Sequence, residues 1–217
     1  MTIWFASGNA HKKQELLAVL SRALSASGAA GLTLRIPSEQ GIHFEPEETG
    51  ATFLENALIK ARALFALTGE PVIADDSGLC VDALGGRPGI YSARYRGPHP
   101  VCAGLPPEGA MSAAERNALL LQELGGASCR TARFVCAMVL LTGAERFFAA
   151  QETLEGEIVR GAGRGEGGFG YDPLLWIPPL GKTAAELDAE QKNRISHRGK
   201  AARALAGHVA AAALGGL

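Results

Sequence analysis

The sequence has almost no net charge, few lysines, no paired cysteines and no long apolar run. Its 21 lysines and arginines face 22 acidic residues, a formal charge of −1 over 217 residues. Without a basic surplus there is no polybasic arm for a nucleic-acid polymer and no cationic face for a membrane surface, though a local basic pocket fits the same balance. Only 6 of the cations are lysines against 15 arginines, so each lysine is worth placing. The cysteines, at 80, 102, 129 and 136, form no C-x-x-C pair, and the histidines at 11, 43, 99, 197 and 208 are scattered. Zinc-ligand spacing is therefore missing, and free, mostly buried thiols in a reducing compartment are expected. No stretch approaches the ~18 apolar residues of a membrane span. The opening MTIWFASGNAHKK puts its apolar run before its basic residues, the reverse of a secretory signal. A cytoplasmic protein with no membrane partner is the expectation. The walker-type phosphate loop G-x-x-x-x-G-K-[ST] is absent as well.

What is present reads as a globular α/β chain. Hydrophobic residues make up 47% and charged residues 20%, which excludes disorder, and the 28 glycines have no collagen-like period. At roughly 150 residues per domain the length fits one domain or one and a half. Residues 2–6 predict a buried strand, 11–24 a helix, and 32–36 a second strand ended by Pro37. An acidic loop, Phe44 to Gly50, precedes Thr52-x-x-Glu55, a capping box that opens a helix to about Leu67. Residues 71–74 predict a strand that ends at Asp75-Asp76. A turn-rich loop spans 85–91, a proline-rich excursion 97–109, and a capped helix 112–124. Strands at 132–141 and 146–154 predict a hairpin, with a separate strand at 156–160. The glycine-rich GAGRGEGGFGYDP (161–173) leads to a strand at 174–177. Thr183-x-x-Glu186 caps a helix to about Lys192, and Ser196 starts the last one. No internal repeat or linker divides the chain.

Four stretches carry chemistry. Ser7-Gly8-Asn9-Ala10-His11-Lys12 joins a strand to a helix, where backbone N–H groups and Lys12 can hold a phosphate. The same residues fit a capped turn with a surface lysine. Asp75 and Asp76 repel one another, so a cation or hydrogen bonds must order them, and strand alternation sends one to each face. Mg²⁺ takes one or two carboxylates plus phosphate oxygens and waters, with Glu47 or Glu48 as the second acid; a solvated turn is the plainer alternative. Phe169-Gly170-Tyr171-Asp172 offers a ring to stack on a nucleobase and a carboxylate for a ring N–H, or else an ordinary tight turn. Lys192, Ser196, His197 and Arg198 add cations and donors at the start of the final helix.

Together SGNAHK (7–12), EETGATFLENALIKA (47–61), ADDSGLCVDALGGRPGIYSARY (74–95), GEGGFGYDP (165–173) and KTAAELDAEQKNRISHRGKA (182–201) resemble the Ham1/RdgB family of inosine triphosphate pyrophosphatases. The resemblance runs nearly the whole chain in order. It implies a single ITPase-like domain over 1–217: an elongated mixed sheet with flanking helices, two lobes around a central nucleotide cleft, Mg²⁺ dependence and a homodimer. It also implies Ser7, Gly8, Asn9, Ala10, His11 and Lys12 on the triphosphate, with Asp76 as metal ligand and catalytic base. Glu48, or its neighbour Glu47, is the implied second metal-binding acid. Lys60 joins the phosphate cluster and Ser77 contacts substrate. Phe169, Gly170, Tyr171, Asp172, Lys192, His197 and Arg198 are implied at the base and sugar.

The implied reaction converts ITP, dITP or XTP to the monophosphate and pyrophosphate. A carbonyl at purine position 6 would meet donors from the His197-Arg198 region, whereas adenine brings an opposing amino donor. Two rivals stand beside this reading: a Maf-like pyrophosphatase acting on other nucleotides, and a non-catalytic nucleotide sensor.

Overall fold

A computed structural model describes residues 2–26, 33–97 and 111–213. Among the described residues seven strands form one mixed sheet in the order β2-β1-β3-β4-β5-β6-β7. They are β1 (Thr2–Phe5), β2 (Thr33–Arg35), β3 (Val72–Val81), β4 (Thr131–Gly143), β5 (Arg146–Ile158), β6 (Leu175–Ile177) and β7 (Lys182–Thr183). The helices are α1 (Ala10–Ala26), α2 (Phe53–Thr68), α3 (Ala113–Leu124), α4 (Ala189–Ile195) and α5 (His197–Ala213). β1 pairs in parallel with β2 and β3, while β6 runs antiparallel to β5 and β7. Only two residues join β4 to β5, which makes that pair a hairpin. Among the described residues no helix is long and apolar enough to cross a membrane.

The chain divides into two compact units, and β3, β4 and β5 each contribute to both. The first contains residues 1–77, 135–153 and 193–217. Its sheet is covered on both faces. On one face Leu16, Leu20 and Leu24 of α1 and Ala201, Leu205 and Val209 of α5 pack against Ile3, Phe5, Ile73, Met138 and Leu140. On the other, Ala57, Ala61 and Leu64 of α2 meet Trp4, Val72, Ala74, Val139 and Leu141. Each fully buried Leu or Ile in these layers contributes about 1.5–3 kcal/mol. Burial on both faces also explains the nearly unbroken apolar run of β4.

The second unit contains residues 78–134 and 154–192. It buries Leu79, Val81, Tyr95, Leu120, Leu124, Phe134, Tyr171, Leu175 and Ile177. Its α3 begins at a complete capping box between Ser112 and Glu115.

Three expectations need correction. β3 does not stop at Asp75-Asp76 but continues through both to Val81, because each carboxylate finds buried partners. The separate strand expected at 156–160 is the end of β5. Gly156 reads as a break, yet it is the residue that lets β6 approach: a Cβ there would lie 2.4 Å from the Trp176 carbonyl oxygen. The Thr183–Glu186 box is formed but opens only a short 3-10 turn, since Leu187 is extended. The Asp188 carboxylate then accepts from Gln191 N–H and starts α4 afresh. Beyond Gly97, the proline-rich stretch lies outside the described residues.

Candidate active site

Alternation along β3 organises the first unit's polar residues. Ile73, Asp75 and Ser77 point to the α1/α5 face, and Val72, Ala74 and Asp76 to the α2 face. Two adjacent aspartates therefore belong to two different environments.

On the α1/α5 face Asp75 is almost wholly buried. Lys12 Nζ lies 3.0 Å from its Oδ2, and Arg198 Nε donates to the same oxygen at 3.1 Å. Arg198 Nη1 reaches Glu15 at 2.5 Å, and its Nη2 donates to Ser77 Oγ at 2.9 Å. Burial alone would raise the Asp75 pKa, but Lys12 and Arg198 outweigh it and hold the carboxyl well below the usual range. The reciprocal effect lifts Arg198 against its own burial. Cys136 Sγ sits 3.9 Å from Asp75, and burial, with Asp75 beside it, pushes this thiol up to about 12.

On the α2 face Lys60 Nζ lies 2.7 Å from Glu48 Oε1 and 3.0 Å from Asp76 Oδ1. Asn56, fully buried one turn before Lys60, donates from Nδ2 to Asp76 Oδ2 at 3.3 Å. Its Oδ1 accepts from Gly50 N–H at 2.8 Å, pinning the acidic loop to α2. Burial raises the Asp76 pKa; Lys60 pulls against it and Glu48 adds to it, and the net direction is upward. Lys60 would lose basicity on burial, but Asp76, Asp75 and Glu48 carry it above its ordinary value. Of the two candidate acids in the loop, Glu48 is half-buried and reaches Lys60, whereas Glu47 is exposed.

Asn9 is the cap of α1. Its Oδ1 accepts from His11 N–H at 3.0 Å and Lys12 N–H at 3.2 Å, and its own N–H donates to Ser7 Oγ at 3.1 Å. Gly8 has no atom within 4 Å of where a Cβ would stand, and the side chains of Ala10 and His11 are exposed. Ser196 caps α5 in the same way, its hydroxyl accepting from Gly199 N–H at 3.0 Å. His197, the first residue of that helix, is buried. Arg198, expected beside the base, has Nε, Nη1 and Nη2 engaged by Asp75, Glu15 and Ser77.

The second unit holds the aromatic-carboxylate turn. Asp172 Oδ2 accepts from Phe169 N–H at 2.7 Å and from Lys192 Nζ at 2.8 Å. Lys192 Nζ also lies 5.1 Å from the centre of the half-buried Phe169 ring. Gly168 must be glycine: its φ is +73°, and a Cβ would lie 2.1 Å from Asp172 Oδ2. Gly170, also at positive φ, presents its carbonyl to Asn117 Nδ2 at 3.1 Å. Tyr171 points inward, donating from its hydroxyl to the Ser92 carbonyl at 3.0 Å; burial pushes its phenol up to about 12.

The fold and its polar residues define an open-sheet α/β protein with acid–lysine clusters on both faces of one strand. The chain belongs to the Ham1 family, whose model matches residues 3–208. A relative from Treponema denticola, named dITP/XTP pyrophosphatase, is 49% identical over 204 residues, covering 93% of this chain and 94% of its own. One of the same name from Thermus thermophilus is 46% identical over 208 residues, covering 94% and 90%. Among solved structures, a HAM1 protein from Coxiella burnetii matches with a TM-score of 0.81 at 37% identity, covering 96% of this chain and 98% of that one. The Staphylococcus aureus Ham1 protein matches with 0.79 at 37% identity over the same shares.

Asn56 and Glu15 escaped the sequence reading as functional residues. Asn56 was visible as the i−4 neighbour of Lys60, but nothing local ties it to Asp76 twenty positions on. Glu15 reads as an ordinary surface acid until α5 brings Arg198 to it.

Proposed function

We propose that this protein hydrolyses noncanonical purine nucleoside triphosphates, ITP, dITP and XTP, to the monophosphate and pyrophosphate. The observation that carries this reading is the convergence of Glu48 and Asp76 on the Lys60 ammonium, at 2.7 and 3.0 Å. Two hard oxygen donors aimed at one cationic point are the set that Mg²⁺ takes alongside phosphate oxygens and waters. Among the described residues no three or more His, Cys, Asp or Glu side chains form a metal cage, so substrate and water would complete the shell. When bound, Mg²⁺ would withdraw charge from the phosphorus under attack.

Asp76 accepts the proton of the attacking water, and Lys60 and Asn56 fix the orientation of its carboxylate. The water oxygen bonds to the α-phosphorus as the bond to the α–β bridging oxygen breaks. The electron pair leaves on pyrophosphate, whose charge Lys12 and Lys60 offset. Asn56 holds Asp76, and through Gly50 the loop that bears Glu48. Arg198 serves the reaction by fixing Asp75 and Ser77.

Base recognition is assigned to the Phe169 face, Asp172 and Lys192. A carbonyl at purine position 6 accepts from a cationic donor there, whereas the adenine amino group would leave both donors unpaired, costing ~1–3 kcal/mol. A homodimer is part of the same proposal, supported by the family resemblance and tested by light scattering. A cytoplasmic location is supported by the free thiols of Cys80, Cys129 and Cys136.

A panel of nucleoside triphosphates with Mg²⁺, scored for pyrophosphate against single phosphate, tests the reading. Pyrophosphate from ITP, dITP and XTP with little from ATP is the expected outcome. Equal rates on ATP and ITP would overturn the base assignment, and binding without turnover would leave a sensor.

A further inference from the structure

The second unit contains a cavity of about 430 Å³ whose lining includes Arg130, Arg160, Arg164, Trp176, Cys129 and Glu157. Its charge is unbalanced. Three guanidinium groups and one carboxylate leave a lining charge of 3 − 1 = +2.

Arg130 is the informative member, because it is only 6% exposed. Its Nε donates to the Ile158 carbonyl at 2.8 Å, Nη1 to Gly125 at 3.2 Å and Nη2 to Val159 at 2.8 Å. A guanidinium has five N–H groups, so these neutral carbonyls use three and leave two. Among the described residues no carboxylate lies within ion-pair distance of it. Burial, and then the positive charge of Arg160, both work against its protonated form. The contrast with Arg198 is direct: that arginine, more deeply buried still, has Asp75 and Glu15. A buried cation without an acid is costly unless a counter-charge comes from solution.

Arg164 is held over the Trp176 ring at 5.3 Å, and Trp176 stands opposite Glu157 in the β5–β6 ladder. Three planar, forked donors around one space suit a multivalent oxyanion far better than a halide or a single carboxylate.

We propose that the Arg130–Arg160–Arg164 cavity is a binding site for a phosphate-bearing anion, separate from the Lys12 and Lys60 clusters. The volume and the number of donors favour two linked phosphoryl groups over one. Free pyrophosphate and the phosphate end of a nucleotide share that chemistry. The site does not depend on the reaction proposed for the other residues.

Inorganic pyrophosphate, inorganic phosphate and inosine diphosphate are titrated into the full chain with chelator present, at constant ionic strength. Trp176 fluorescence and the alkylation rate of the exposed Cys129 give two readouts. Pyrophosphate should change both, more tightly than phosphate. Arg160→Ala and Arg164→Ala should each weaken it about tenfold, and Lys12→Ala should leave it unchanged. Inosine diphosphate competing with pyrophosphate at Cys129 would support a nucleotide as the source, and its failure to compete would support the free anion. Responses indifferent to both arginine substitutions, lost in Lys12→Ala, or absent up to millimolar pyrophosphate would overturn the proposal. Because the readouts need no turnover, failure here is distinguishable from failure of the hydrolase reading.

Discussion

Asp75 and Asp76 are chain neighbours on β3, yet their surroundings drive their carboxyl groups in opposite directions, one down and one up. The strand's alternation is the cause: Asp75 faces two cations, while Asp76 shares Lys60 with a second acid. Substitution should separate the two roles.

Asp76→Asn should keep the fold and lose the chemistry. The native fold disfavours the Asp76 charge, so a neutral isostere costs little stability. Pyrophosphate release from ITP should fall by about 10²–10⁴, with a melting temperature within a few degrees of the parent. A near-normal rate would remove Asp76 from the mechanism.

Asp75→Asn should act mainly on stability. A carboxyl lowered in the folded state contributes stability above its ordinary pKa of ~4, lost as pH falls through the lowered native value. The variant should therefore be weaker at neutral pH by about 3 kcal/mol, with Lys12 and Arg198 deprived of their shared acid. It should also lose less stability than the parent on acidification below pH ~4. Urea unfolding at both pH values checks the pair of effects, and parallel pH profiles would contradict them.

Asn56→Ala and Gly50→Ala attack one contact from its two sides. The first strands the Gly50 N–H and one Asp76 oxygen, at ~1–3 kcal/mol. The second places a Cβ 2.7 Å from Asn56 Oδ1, and overpacking of this kind costs ~1–3 kcal/mol. Both should raise the Mg²⁺ concentration needed for half-maximal rate, because Glu48 rides on that loop. An unchanged metal requirement would mean that the loop position is irrelevant to the metal.

Phe169→Ala should raise KM for ITP with kcat largely kept, since stacking binds ground and transition states alike. The loss expected for one base–ring stack is ~1–3 kcal/mol. Steady-state kinetics that show a fall in kcat instead would place Phe169 elsewhere in the cycle.

Brief alkylation of the native protein followed by peptide mapping should mark Cys129 and spare Cys136. Cys129 is exposed, whereas Cys136 is buried and its thiol is pushed up to about 12. Cys80, half-buried and raised by burial, should react more slowly than Cys129. Early labelling of Cys136 would show that the core beside Asp75 opens easily.

The elements with strong local signals were legible in the sequence. Thr52–Glu55 and Ser112–Glu115 start their helices where the capping pattern places them. The errors fall where distant partners override local chemistry. A double aspartate looks like the end of a strand until Lys12, Arg198, Asn56 and Lys60 satisfy it from 63, 123, 20 and 16 positions away. The choice between Glu47 and Glu48 likewise required the side to which the loop turns. Arg130 was illegible for the opposite reason: its partners are backbone carbonyls, which leave no trace in residue type.

The capping box at Thr52 is also an angular setting. With 3.6 residues per turn, moving the start of α2 by one residue would swing every side chain by about 100° around the axis. Asn56 and Lys60 would then face away from Asp76 without either being altered. A hydroxyl and a carboxylate at the exposed tip of a helix thus act as an index mark for groups buried two turns further on, and insertions between positions 52 and 56 should be tolerated far less well than insertions just before the box.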